Sequence, residues 1–291
     1  MASSKGTILL TGANGGLGCG IVSQILSTPE LVQYHGVYAV RDASSAYALK
    51  STLERRHVAH SYEILSLELS LLADVRGFAQ ALHARIAAGE IPPIRALILC
   101  AGYNDLGQQS VTSEGFETSF ASNYLGHWLL TMLLLRDLDV DNGRIVTLGS
   151  SSYDIDAIAR GELQRRLDAD PVLKAISVTG IDPGVMGTGL VRRGNWFTRV
   201  LLWPIIIPFI APFLTWLEPN GHVRTISKSS ADVLQVAFEA GPKLRGKYLN
   251  GSEVQETVPE AADTEKREMV WRDSAKYSQL TVQDTALVYW T

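Results

Sequence analysis

Short apolar runs alternate with segments of helical periodicity along most of this chain. Runs such as Thr7–Thr11 and Ala96–Cys100 are apolar on both sides, which is typical of strands buried in a parallel sheet. The pattern predicts strands at 7–11, 36–41, 62–67, 96–100, 144–148, 175–182 and 247–250. It predicts helices from about 16 and at about 45–56, 71–88, 114–135, 154–167, 227–240 and 258–279. Strands that alternate with helices predict an α/β fold, in which a doubly wound parallel sheet forms the middle of three αβα layers.

Composition narrows the class of protein. A chain of 291 residues, 46% of them hydrophobic and 19% charged, is long enough for one domain with a full core. The net charge of −4, without a basic run, argues against a nucleic-acid partner. The first residues lack the apolar run of a signal peptide, and Cys19 and Cys100 are expected to be free thiols in a reducing compartment. We therefore expect a cytoplasmic protein, and the histidine spacing indicates no metal site.

The first strand leads into a glycine-rich turn. Gly12, Gly16 and Gly18 follow Thr7–Thr11, and a helix is predicted to begin near Gly16. Glycines let a backbone approach a pyrophosphate closely, and the free N–H groups of a helix N-terminus attract its charge. The stretch therefore predicts a dinucleotide site. The alternative is a simple turn between strand and helix.

The Thr-Gly-x-x-x-Gly-x-Gly spacing resembles the fingerprint of the short-chain dehydrogenase/reductase family, and the resemblance covers roughly Thr7 to Asn250. The segments at 143–150 and 162–188 add to it, the latter resembling fungal members. It implies a Rossmann-type domain, NADP(H) as cofactor, and oxidoreduction of a carbonyl or alcohol in an apolar small molecule. The cofactor positions that it implies are Thr11, Gly12, Asn14, Gly16, Leu17, Gly18, Glu68, Leu69, Ala101, Gly102, Pro183, Gly184 and Thr188.

Arg41 ends the second predicted strand, where a dinucleotide fold places the adenosine ribose. An acid there would accept a hydrogen bond from the 2′-hydroxyl, whereas the arginine fork suits a 2′-phosphate. We therefore predict that Arg41 selects NADP(H) over NAD(H). The alternative is a merely solvated arginine, and Asp42 beside it weakens the prediction.

The resemblance breaks at the expected catalytic residues. Ser150 matches the family's catalytic serine, with Ser151 and Ser152 as near alternatives. Asn123 matches an asparagine that bends a helix and supports a proton relay, or else merely satisfies a backbone carbonyl. The family's Tyr-x-x-x-Lys pair is not found after Ser150, as if that segment were deleted. Tyr153 is the only nearby tyrosine, and it has no lysine four residues later. Two functions stay open: an oxidoreductase of impaired activity, or an NADP-binding protein without redox turnover.

The segment Val200–Leu217 carries no charge, and its length makes it a membrane-span candidate. Pro204, Pro208 and Pro212 would each break a helical hydrogen bond, which a lipid-facing helix tolerates poorly. We therefore favour an apolar lid at about 185–220 that helps to bind a lipophilic substrate. Membrane-surface contact through 200–217 is the alternative. A C-terminal helical tail at about 258–291 is expected on the surface, and the sequence leaves the oligomeric state open.

Overall fold

A computed structural model describes residues 4–56, 58–104, 109–149, 154–188, 205–239, 242–256 and 259–290. Within them one sheet has the strand order β3-β2-β1-β4-β5-β6-β7-β8, in which neighbours are parallel except for β7 and β8. The strands are β1 Thr7–Thr11, β2 His35–Val40, β3 Tyr62–Ser66, β4 Ile94–Leu99, β5 Arg144–Leu148, β6 Ser177–Asp182, β7 Tyr248–Asn250 and β8 Glu253–Gln255. The Rossmann-type doubly wound sheet is confirmed.

Helices cover both faces of the sheet. They are α1 Gly16–Ile25, α2 Tyr47–Glu54, α3 Leu72–Ala87, α4 Thr118–Phe120, α5 Gly126–Leu134, α6 Asp154–Ala169, α7 Ile207–Leu217, α8 Ile226–Phe238 and α9 Thr264–Tyr277. Alternate residues of β1 show how the layers form, because Leu9 packs in the core under α3, α5, α6 and α9. Ile8 and Leu10 pack in the opposite core, under α1, α2 and α8. The layers are therefore those that the sequence pattern predicts.

The predicted helix at 114–135 differs from the observed one. Gly115 has a positive φ of +87° in a turn, so the helix begins only at Thr118. It then widens into a π-helical turn, Ala121–Leu125, before continuing as α5. π turns are often found at functional sites, and this one contains Asn123.

The C-terminal helix is less exposed than the sequence suggests. It begins at Thr264, where the Asp263 carboxylate accepts hydrogen bonds from the backbone N–H groups of Glu265 and Lys266. The Trp271 ring on α9 is 2% exposed and packs edge-on against Trp128, with 5.5 Å between ring centroids. Its indole N–H donates to the Trp290 carbonyl at 2.6 Å. One face of α9 is therefore part of the core, and the expectation of a surface helix is wrong for that face.

Helix α7 lies within the apolar segment and contains Pro212. Ile207 and Ala211 are buried, whereas Phe209, Phe213 and Trp216 are exposed at 84%, 62% and 76%. Among the residues that the structure describes, no helix is long and apolar enough to cross a membrane. Residues 189–204 lie outside the described ranges, so the lid remains a prediction.

Candidate functional site

The glycine turn after β1 lies against the segment that follows β4. Gly12 has φ +67°, a conformation that favours glycine. A Cβ at this position would stand 2.6 Å from the Ala101 Cα. Only glycine therefore fits here, and the turn contacts the segment that follows β4 at Ala101.

The N-terminus of α1 is open to an anion. Gly15 caps the helix without a side-chain hydrogen bond, and the first turn contains no acidic residue. The first N–H groups of a helix have no partner within it, and they carry partial positive charge. A Cβ on Gly18 would clash with the Gly12 carbonyl, which shows how tightly the turn folds back on the helix. Leu17 anchors the helix in the core at 9% exposure. The residues present therefore fit a pyrophosphate.

The loop after β6 closes the other side of this turn. A Cβ on Gly16 would lie 2.9 Å from the Thr188 Cγ2. Gly184, at φ +73°, donates its N–H to the Asp182 carboxylate at 2.7 Å. The Pro183 carbonyl accepts from the Ser229 hydroxyl at 2.6 Å. The structure thus brings the predicted Thr188 against the glycine turn, and Pro183 and Gly184 lie in the same loop after β6.

Thr11 joins the ends of β1 and β4 through its hydroxyl. The Thr11 Oγ1 accepts from the backbone N–H groups of Cys100 at 2.9 Å and Ala101 at 3.1 Å. Its own proton is then directed to His127 Nε2, 3.0 Å away. Burial lowers the pKa of His127 to about 4, so this ring is neutral at physiological pH. The other ring nitrogen, Nδ1, lies 3.3 Å from the Asn123 carbonyl oxygen and donates to it.

Two predicted asparagines use their side chains within the protein. The Asn14 Oδ1 accepts from the Leu49 N–H at 3.0 Å, which fixes α2 beside the glycine turn. The Asn123 Oδ1 accepts from the Tyr103 N–H at 2.7 Å, and its Nδ2 donates to the Tyr103 carbonyl at 2.8 Å. Asn123 therefore holds the segment after β4 in place, which is the simpler of the two roles expected for it.

Arg41 and Glu68 form an ion pair at the predicted adenosine end. The Arg41 Nε lies 3.0 Å from the Glu68 Oε2, and 66% of the Arg41 side chain is exposed. Glu68 also accepts from the Ser70 N–H and hydroxyl at 3.1 and 2.8 Å. Asp42 accepts from the Ser44 N–H and hydroxyl, so its carboxylate stabilises a turn. Leu69 is 6% exposed, and its side chain packs in the hydrophobic core.

The predicted catalytic Ser150 and Tyr153 lie outside the described residues. β5 ends at Leu148, the Gly149 N–H donates to the Ile181 carbonyl at 3.0 Å, and α6 begins at Asp154. No tyrosine or lysine occurs in the α6 sequence. Its residues therefore supply no Tyr-x-x-x-Lys pair.

Asp156 and Arg160, one helical turn apart on α6, occupy the space beside the ends of β5 and β6. They line a cavity of about 50 Å³ together with Thr147, His127 and Trp128. Burial raises the pKa of Asp156 to about 7, although the nearby Arg160 guanidinium opposes the shift. Neither residue was predicted as part of the site. The sequence feature that could have identified them is a pair of opposite charges, four residues apart, on the apolar side of an amphipathic helix.

Both cysteines are free, as the sequence predicts, and each is half-buried. Burial raises the pKa of the Cys100 thiol to about 12 and also raises that of Cys19. Neither thiol is therefore a ready thiolate near neutral pH.

Known proteins resemble this chain in sequence and in fold. The profile of the short chain dehydrogenase family matches residues 6–195. A fungal protein, the short-chain dehydrogenase iccH of Talaromyces variabilis, is 37% identical over 99% of this chain and 100% of its own length. Mouse polyprenol dehydrogenase is 27% identical over 97% of this chain and 86% of its own. The NADPH-bound carbonyl reductase from chicken fatty liver superposes with a TM-score of 0.61 at 16% identity, covering 87% of this chain and 99% of the reductase.

The alignment with the Talaromyces protein contains long gaps in this chain. It spans 364 positions, whereas 99% of a 291-residue chain is about 288 residues. Roughly 76 aligned positions therefore fall opposite gaps in this chain.

Replacing Thr11 by valine should destabilise the protein and weaken nucleotide binding. Valine keeps the shape but leaves two buried N–H groups without their acceptor, and each such group costs about 1–3 kcal/mol. We expect urea unfolding to show a loss of about 2–5 kcal/mol. Thr11→Ser retains the oxygen and is the matched control. Equal stabilities for the two variants would contradict this role of the hydroxyl.

Proposed function

The chain belongs to the short chain dehydrogenase family, and we propose that it is an NADP(H)-dependent oxidoreductase acting on a carbonyl or alcohol of an apolar small molecule. The observation that carries the cofactor part is the glycine turn beside the uncapped N-terminus of α1, with Arg41 at the end of β2. When bound, the cofactor supplies or accepts a hydride.

The chain's own residues have separate tasks in this proposal. The N–H groups at Gly16 and Leu17 bind the pyrophosphate, and Thr188 lies over the glycine turn on its other side. Ala101 and Gly102 form the wall next to Gly12. Ser150, which follows Gly149 in the sequence, donates a hydrogen bond to the reacting oxygen, as the family resemblance implies.

Selectivity for NADP(H) rests on Arg41. Its guanidinium is exposed, so a 2′-phosphate can reach it, and the Asp42 carboxylate is occupied by Ser44. Glu68 works against the phosphate, because its carboxylate already pairs with Arg41. The chicken carbonyl reductase of similar fold carries NADPH, which supports the same choice here.

An apolar substrate is proposed from the segment before and within α7. Val200–Leu217 contains no charge, and α7 exposes Phe209, Phe213 and Trp216. A similar mouse protein is a polyprenol dehydrogenase, named for a lipophilic alcohol. We propose that this segment contacts substrate rather than a membrane surface, and that the protein works in the cytoplasm.

A second candidate function is nucleotide binding without redox turnover. The observation that favours it is the sequence of α6, which offers no phenol and no ammonium group. A positioned general acid contributes about 10²–10⁴-fold to a rate. If no other group supplies the proton, the chain binds NADPH but reduces carbonyls very slowly.

Calorimetric titration of NADPH and NADH tests the choice of cofactor. We expect tighter binding of NADPH, and a loss of about tenfold in its affinity for Arg41→Ala, because one screened charged contact is worth about 1.4 kcal/mol. Glu68→Gln should bind NADPH more tightly than the wild type, since it releases the guanidinium. Arg56→Ala, on a similarly exposed arginine, should leave both affinities unchanged. Equal affinities of the wild type for the two nucleotides would refute the proposed selectivity.

Turnover is tested by NADPH absorbance against a panel of apolar ketones and quinones. We expect slow reduction, above the rate without protein, that falls in Ser150→Ala. The rate should be low because α6 lacks the usual acid and cation. Intact NADPH binding without any turnover would refute the oxidoreductase proposal and establish the second candidate.

A further inference from the structure

The hydroxyl of Tyr248, on β7, is buried without a partner. The residue is 9% exposed, and the hydroxyl finds no hydrogen-bond partner in the described part of the chain. Leaving a buried donor unpaired costs about 1–3 kcal/mol, so such groups are rare and call for an explanation. A ligand oxygen that pairs with the phenol would provide one.

The position of this phenol is at the carboxyl end of β5. Tyr248 is in register with Gly180 of β6, which is in register with Thr147 of β5. The ring lies across Gly180, where a Cβ would stand 2.7 Å from the Tyr248 Cδ2. The hydroxyl oxygen lies 3.5 Å from the place of a Cβ on Gly149, the residue before Ser150. Gly180 thus makes room for a tyrosine that points from β7 toward the site.

A buried cation faces the same ring. The Arg160 guanidinium carbon lies 5.0 Å from the Tyr248 ring centroid. Its Nε and Nη2 have no partner among the described residues, and neither does the Thr147 hydroxyl. A cation on a ring face stabilises negative charge that develops on the phenol. Tyr248 and Arg160 therefore combine an acid with a nearby positive charge, although they come from β7 and α6.

We propose that Tyr248 is a catalytic residue that gives its phenolic proton to the reacting oxygen, and that Arg160 is its positioning residue. This inference rests on the proposed function. In reduction, the bound cofactor would supply a hydride that forms a C–H bond at the carbonyl carbon as the C=O π bond opens. The oxygen takes the Tyr248 proton and becomes a hydroxyl. Tyr248 is left as a phenolate beside Arg160, and water returns a proton to it. Oxidation of an alcohol runs these steps in reverse.

The surroundings of Tyr248 keep its phenol in the protonated form. Burial, together with the charge of Asp182, raises the pKa of Tyr248, so the phenol holds its proton at neutral pH. The Arg160 guanidinium opposes that shift and therefore favours the phenolate that forms during reduction. No lysine on α6 is needed for this arrangement.

Tyr248→Phe tests the inference, because it removes only the hydroxyl. Tyr124→Phe is the matched control, since Tyr124 is also buried and its hydroxyl lies 2.7 Å from the Ser274 Oγ. We expect Tyr248→Phe to lower kcat for NADPH-dependent reduction about 100-fold or more, while the NADPH Kd changes less than about twofold. Tyr124→Phe should keep kcat near that of the wild type. Arg160→Lys should retain more of kcat than Arg160→Gln at unchanged KM.

The outcomes separate the inference from the proposed function. If the wild type reduces carbonyls and Tyr248→Phe does so equally fast, or if only Tyr153→Phe loses the activity, the inference is overturned and the oxidoreductase stands. If the wild type binds NADPH without turnover, the inference and the proposed oxidoreductase function both fail. A second readout is the NMR signal of tyrosine labelled with ¹³C at Cζ, assigned to Tyr248 by its loss in Tyr248→Phe. It should shift when NADP⁺ and a ketone are added, and an unmoved signal would also overturn the inference.

Discussion

The close approach of β1 and β4 at their carboxyl ends is the constraint on which the site depends. Two backbone N–H groups after β4 would be buried without acceptors if the Thr11 hydroxyl were absent. The same approach leaves no space for a Cβ at Gly12. The Thr11 hydroxyl and the absence of a side chain at Gly12 therefore fix how closely the two strand ends approach. His127 contacts the same hydroxyl, and Asn123 binds the segment after β4. The N-terminus of α1, where we propose that the pyrophosphate binds, follows this turn directly.

The connection between β5 and β6 is long enough to close the sheet. A parallel crossover needs only about 10–12 residues, and α6 alone supplies the 16 residues from Asp154 to Ala169 between β5 and β6. The sheet therefore closes with the residues present between β5 and β6. The glycine turn and the loop after β6 lie outside this connection, so the proposed nucleotide site does not depend on it. The general acid that we propose, the phenol of Tyr248 on β7, likewise comes from outside this connection.

Local patterns predicted most of the strands and helices and the position of the glycine turn. The glycine spacing placed the turn correctly because a tight turn and a helix start are set by neighbouring residues, and the apolar runs placed β1 to β6 within a few residues. The start of the helix at Thr118 was missed because a local turn, with Gly115 at positive φ and a bridge between Val111 and Glu117, occupies the first residues of the predicted helix. The Arg41–Glu68 pair and the Tyr248–Arg160 contact join residues far apart in sequence. Strand register decides such contacts, and no pattern within one segment reveals it.

The measurement that tests the central claim most directly is calorimetric titration of NADPH into Gly16→Ala. A methyl group at Gly16 would intrude where α1 meets Thr188 and where the pyrophosphate is expected, whereas Gly77 on α3 has open space around it. The account predicts that the wild type and Gly77→Ala bind NADPH alike and that Gly16→Ala binds at least about tenfold more weakly while remaining folded. Equal binding by a folded Gly16→Ala, or no binding by the wild type, would contradict it.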